Sequence, residues 1–336
     1  MMTTLDQVIP AETIENDVAA HQLLIWAMFA INAVMIVIAY ARLPVTDFYH
    51  VSEGGLRGGL GRVLIYANFP ASLAALALIG LAVRRLRLTG MVPTTRARHT
   101  LSALAIVGAA LCLVTAVPGV VDTKDLDAKP INIIPALGVL IAFGLTLASF
   151  RAPDRYRLLP WSHRDRFGLV LIAVLTVVSL PWILADLGVY IGDIPLLGRI
   201  AMSKEIPEGE TLRAVHLGHH HGLDGWLFVV TSLTLGRLVR RDIASRMASV
   251  LRGYFGLMFS YGLLNLIEDG WLEQIVKRGW TDAQMPDVLV PDLSIGWALI
   301  IAGAFVAWYL LFRPVDLDRQ STTLETHTMS GAGTRA

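Results

Sequence analysis

Charge is scarce in this chain, and cysteine is almost absent. Only 16% of the 336 residues are charged while 54% are hydrophobic, too little polarity for a water-soluble domain of this length. One cysteine, Cys112, excludes an intramolecular disulfide framework and any CxxC metal or redox site; inside an apolar run it reads as a small buried residue. Lysine is rare, 4 against 24 arginines. With a net charge of +1 and basic residues scattered over short links, there is no basic stripe and no nucleic-acid partner to expect. No Lys or Arg precedes Arg42, so a secretory n-region is missing and the first apolar run reads as a retained span. Neither HExxH nor a GK[ST] phosphate loop occurs. The piece Gly54-Gly55-Leu-Arg-Gly58-Gly59-Leu-Gly61-Arg62 reads as a flexible turn leading into the second span.

What is abundant is long apolar sequence. Runs of the length a bilayer core requires recur near 22–41, 63–83, 100–120, 131–150, 167–190, 216–236, 250–270 and 293–312. The fold expected is therefore all-α: a polytopic membrane protein with a bundle of about eight transmembrane helices and both termini cytoplasmic. The links 84–98, 151–166 and 237–252 carry five arginines each, and the alternate links carry two or three Lys or Arg. This alternation is the positive-inside pattern for eight spans in the cell membrane. Residues 1–20 form an N-terminal cytoplasmic segment, 21–313 the membrane domain, and 314–336 a polar tail read as disordered. Pro70, Pro118, Pro135 and Pro181 fall in or at the ends of spans, toward the outer half. Proline there frees backbone carbonyls and suits a polar cavity.

The chemistry gathers at one point. Val215-His216-Leu-Gly218-His219-His220-His221-Gly222-Leu-Asp224-Gly225-Trp226 puts four of nine histidines and a carboxylate at the start of the sixth span. If the segment is helical, His216, His220 and Asp224 form one stripe at i, i+4 and i+8. Gly218, Gly222 and Gly225 give a small-residue side that admits a close helix neighbour. By the same topology Asn265, Glu268 and Asp269 close the seventh span at the same membrane face. Asp47, His50 and Glu53 lie in the first outer link, and spans three and five end with Asp122 and Asp186. His21, His99 and His163 fall on the cytoplasmic side, away from the cluster.

Imidazole with carboxylate suits a divalent transition metal, zinc first, with iron or copper also compatible. Candidate ligands are His216, His219, His220, His221, Asp224 and His50; Glu268 and Asp269 are candidate catalytic carboxylates, as general base or as partners orienting an imidazole. The reading is a metal-dependent hydrolase or transferase acting on a membrane-proximal or lipid substrate. A proton- or cation-coupled transporter, a haem-binding carrier and an assembly subunit are the alternatives. His216-Leu-Gly-His219-His220 resembles the HxxHH box of membrane desaturases and hydroxylases. That di-iron family implies several such boxes on the cytoplasmic side, and this chain has one, so the function is not carried over. Intramembrane zinc hydrolases of the ceramidase and adiponectin-receptor type share a His and carboxylate site among spans, without a motif that matches residue by residue.

Overall fold

The computed structural model describes residues 17–42, 55–117, 119–120, 128–151, 161–186, 191–202, 221–240, 245–276, 278–286, 288–289 and 291–314. Every regular element among them is helical, as lipid demands: a helix satisfies its backbone hydrogen bonds within one segment. Seven segments are long and apolar enough to cross a membrane: Ala19–Ala39, Gly55–Leu88, Thr95–Ala116, Pro130–Phe150, Gly222–Val239, Arg246–Val276 and Ile295–Phe312. In chain order the main helices are α1 (Asp17–Arg42), α2 (Gly55–Tyr66), α3 (Ser72–Leu88), α4 (Thr95–Leu113), α5 (Ile133–Phe150), α6 (His163–Asp186), the short α7 (Leu197–Ala201), α8 (His221–Gly236), α9 (Arg246–Trp271) and α10 (Ile295–Ala307). α6 accounts for the eighth apolar run; Arg164, Asp165 and Arg166 crowd its first turn, and it is uncharged from Phe167 to Ala185. The first helix starts at Asp17, a few residues before the boundary read from hydropathy.

Neighbouring helices run antiparallel. Along α6 and α8, Gly168 meets Leu233 and Thr176 accepts a hydrogen bond from the Trp226 indole at 2.8 Å. Tyr254 of α9 donates to the Leu73 carbonyl of α3 at 2.6 Å, and Ser260 donates to Ile300 of α10 at 2.8 Å. The bundle therefore has two ends. One gathers Arg85, Arg98, Arg164, Arg240, Arg246 and Arg313 at helix termini and is called here the arginine-rich end; the other holds the start of α8 and the close of α9.

Three segments form the centre. Of the apolar stretch of each span, 72% is buried in Gly55–Leu88 and in Gly222–Val239 and 61% in Arg246–Val276, against 22% to 33% in the other four. Glycine sets how closely they pack. A Cβ at Gly225 would stand 2.6 Å from the Gly262 carbonyl oxygen, and one at Gly262 would stand 2.6 Å from that of Gly225, so α8 and α9 touch backbone to backbone. This is the close neighbour that the small-residue side of α8 implied. Gly256 meets α10 the same way, 2.7 Å from the Ala304 carbonyl. Between α4 and α5, Cys112 is fully buried, with its sulfur 2.7 Å from where a Gly138 Cβ would lie.

Two expectations need correction. The glycine-rich piece is no turn: from Gly55 onward it is helix α2, which packs along α1 with Gly59 buried. Composition alone could not separate a glycine-rich helix from a turn. The prolines also divide. Pro70 lies in a π-helical turn, Ala67–Ala71, joining α2 to α3, and Pro181 lies inside α6. Pro135 instead sits in the first turn of α5, where no N–H is needed. Pro118 lies outside the described residues.

Ionic contacts tie the arginine-rich end. Ser162 caps α6, its amide and hydroxyl donating to Asp165 at 2.8 and 2.6 Å, a capping arrangement. The same carboxylate accepts from Arg240 and lies 3.6 Å from Arg237 Nε. Burial pushes the Asp165 carboxyl up, but the Ser162 donors and the Arg240 guanidinium outweigh it and hold it below the ordinary 3.8. Arg252 donates to the Val239 carbonyl at 3.0 Å, closing the end of the sixth span.

Two outcomes follow for thermal unfolding in detergent. Gly262→Ala destabilises by about 1–3 kcal/mol because a buried backbone contact must open, whereas Gly253→Ala, with open space at its Cβ, is neutral or gains about 0.5–1 kcal/mol. Asp165→Asn lowers the midpoint at neutral pH. The lowered carboxyl stabilises the fold above its unfolded value, so the gap between native and variant protein closes as pH falls below 3.8.

Candidate functional site

The helix that carries the histidine cluster into the bundle is described from His221, which opens α8. His216, His219 and His220 lie outside the described residues, as do His50, Asp47, Glu53 and Asp122. Asp224 follows in the first turn of α8, where a carboxylate complements the helix dipole. It is buried, at 8% exposure. On α9, Asn265 and Asp269 are buried at 2% and 4%, while Glu268 beside them is half-buried. Asn265 and Asp269 stand four residues apart and so share a face.

The contact of Gly225 with Gly262 fixes the depths of these groups. Asp224 is one residue from the contact, and Asn265 three. Asp269 is seven residues beyond it, about 10 Å along the axis, so Asp224 lies a step deeper in the bundle than Asp269. Among the described residues no group of three or more His, Cys, Asp or Glu forms a metal cluster. Two of the expected carboxylates, Asp224 and Asp269, are nevertheless buried on adjoining helices at one end of the bundle.

An aromatic floor closes the site toward the bundle centre. Phe69, Phe228 and Tyr261 pack with ring centroids 5.5 to 6.1 Å apart, and Trp297 lies 5.7 Å from Tyr261. The Tyr261 hydroxyl donates to the Leu289 carbonyl at 2.8 Å, anchoring the plate.

Beside that floor stand polar groups that hydropathy concealed. Asn68 sits in the π-helical turn at 1% exposure, and neither its amide nitrogen nor its oxygen has a hydrogen-bond partner among the described residues. The Asn265 amide donates to the Tyr261 carbonyl at 2.8 Å, while its oxygen is likewise unpartnered there. Leaving a buried amide unsatisfied costs about 1–3 kcal/mol, so these groups lower the stability of the bundle where they stand. Ser72 donates to the Ala67 carbonyl at 2.7 Å, satisfying an acceptor of the turn. Arg62, 4% exposed, is seven residues from Phe69, about 10 Å toward the same end. It brings a buried cation to the depth of Asp269. Proline at position 70 was the one sequence signal for this region; the polar side chains around it are dilute in an apolar run.

Asn68→Leu is expected to raise the unfolding midpoint by the equivalent of about 1–2 kcal/mol, and Ser72→Ala to lower it by about 1 kcal/mol. Opposite signs at neighbouring buried positions, read by thermal unfolding in detergent, would separate a group held for function from one held for structure. Comparison of the chain with family models, curated proteins and solved structures finds no match.

Proposed function

We propose that this multi-pass protein is a membrane-embedded, metal-dependent hydrolase or transferase. His216, His219, His220 and His221, with Asp224, supply the ligands, and His50 of the first outer link is a further ligand. Zinc is favoured, and iron or copper fits the same donors. Glu268 and Asp269 act as general base, or accept an imidazole N–H to fix its tautomer. Zinc in such a set polarises a carbonyl or phosphoryl oxygen and makes water nucleophilic near neutral pH. The reading rests on one observation above all: two carboxylates, Asp224 and Asp269, are buried on adjoining helices at the end of the bundle where α8 begins. The aromatic floor favours an apolar substrate portion, hence a lipid or lipid-linked substrate. Arginine distribution puts the site at the outer face of the cell membrane with both termini inside.

Elemental mass spectrometry on untagged protein tests this, alongside a variant with His216, His219, His220 and His221 all changed to alanine. The expected result is about one metal per chain, lost in the variant while helical content is kept. Absence of metal from the native protein, even after reconstitution with zinc, iron and copper, rejects the proposal.

One observation favours a second reading, a proton- or cation-coupled transporter. Below Asp224 the buried polar groups continue: Asn68 and Thr231 near mid-bundle, and Gln22 in α1 toward the arginine-rich end, each with side-chain polar atoms unpartnered among the described residues. Intramembrane polar groups of this kind line pathways. Metal-free native protein that carries protons or cations into liposomes would favour it.

A further inference from the structure

At the arginine-rich end, remote from the histidine segment, a cavity of about 260 Å³ lies between α1, α6, α8 and the last turn of the tenth helix. Its polar wall is Arg164, Arg237 and Arg240 with Asp165, and His21 faces it from α1. Its apolar wall is Leu24, Leu169, Ile172, Leu233 and Leu311.

Three guanidiniums meet one carboxylate here, and that carboxylate is already engaged by Ser162, Arg240 and Arg237. Among the described lining residues positive charge is left over. Arg313 adds to it: its carbonyl accepts from Arg164 at 3.4 Å, and its guanidinium covers the Tyr309 ring at 4.4 Å. Burial first, then repulsion from Arg313 and Arg240, pulls the Arg164 guanidinium below its ordinary value, as expected where cations outnumber the anions that could neutralise them. Arg237 is held over the Trp161 indole at 4.3 Å, a stacking that fixes the direction of its fork.

The apolar wall decides what kind of anion fits. Leu24 and Leu169 are 58% and 49% exposed on the outside of the bundle, so the cavity opens sideways between α1 and α6, onto the surface that acyl chains cover. A free inorganic anion has no use for that opening. A molecule with an anionic head and apolar chains fits both walls, and basic pockets between membrane helices on the cytoplasmic side are known to take such headgroups. The volume holds a headgroup and not a whole lipid.

We propose that this cavity binds the phosphodiester headgroup of an anionic phospholipid. Arg164, Arg237 and Arg240 hold the phosphate, and the acyl chains leave between α1 and α6 past Leu24 and Leu169. Asp165 is the positioning residue that keeps Arg240 and Arg237 on the cavity wall. The site is independent of the metal reading, since no residue is shared.

Native mass spectrometry of the full-length, delipidated protein in mild detergent reads the binding directly, with phosphatidylglycerol, phosphatidylcholine and inorganic phosphate as probes. The expected result is one retained phosphatidylglycerol, at least about fivefold preferred over phosphatidylcholine, weakened about fivefold by Arg164→Gln and about twentyfold by Arg164→Gln with Arg237→Gln. Leu169→Trp, at an exposed position that tolerates bulk, narrows the mouth and lowers retention with every arginine in place. Circular dichroism confirms that each variant is folded; a misfolded arginine variant leaves Leu169→Trp to decide. Equal retention of the two phospholipids overturns the proposal, as does unchanged retention in folded Arg164→Gln and Leu169→Trp. Displacement of the lipid by millimolar phosphate assigns the site to a free anion and overturns it too.

Discussion

The backbone contact between Gly225 and Gly262 is the constraint on which the rest of the structure depends. Two helices meeting without side chains between them leave no slack for sliding, so the residues on either side are held in register. That register sets Asp224 beside the contact, Asn265 one turn past it and Asp269 about two turns past it. It also sets the aromatic floor, because Phe228 lies one turn inward of Asp224 and Tyr261 adjoins Gly262. Every group of the candidate site on these two helices is thus positioned by one pair of absent side chains.

Around that pair the polar residues divide between the ends of the bundle, and the division follows from the cost of charge in lipid. Toward the histidine segment the charges lie on the central helices and are buried. At the arginine-rich end they lie at helix termini, where Ser162, Asp165 and Arg240 close the start of α6 and Arg252 closes the sixth span. The middle is mostly apolar, yet Asn68, Thr231 and Gln22 interrupt it. Buried amides and hydroxyls of that sort lower stability, so apolar packing does not account for them.

Much of the architecture was legible beforehand, because a bilayer allows so few solutions. Apolar length identifies spans, and taking them in turn places Asp224 with Asn265 and Asp269 at one end of the bundle across a long sequence gap. The same reasoning assigned Gly225 to a helix contact. It failed where composition has two meanings: the glycines from Gly55 onward lie in helix α2, not in a turn, and Pro135 opens a helix instead of breaking one. It also passed over Asn68 and the cavity at Arg164, since an isolated amide hardly alters hydropathy and arginines counted as loop charges carry no record of their neighbours.

The sequence by itself determined that this is a helical multi-pass membrane protein, since backbone groups in lipid must be satisfied within each segment, and it named the candidate site residues. Only the tertiary structure decided which of those residues share a depth, which are buried, and where positive charge is left over. Span assignment is local and follows from composition along the chain. Burial and charge balance are sums over several helices, and those sums depend on crossing points a few ångströms wide that no single segment encodes.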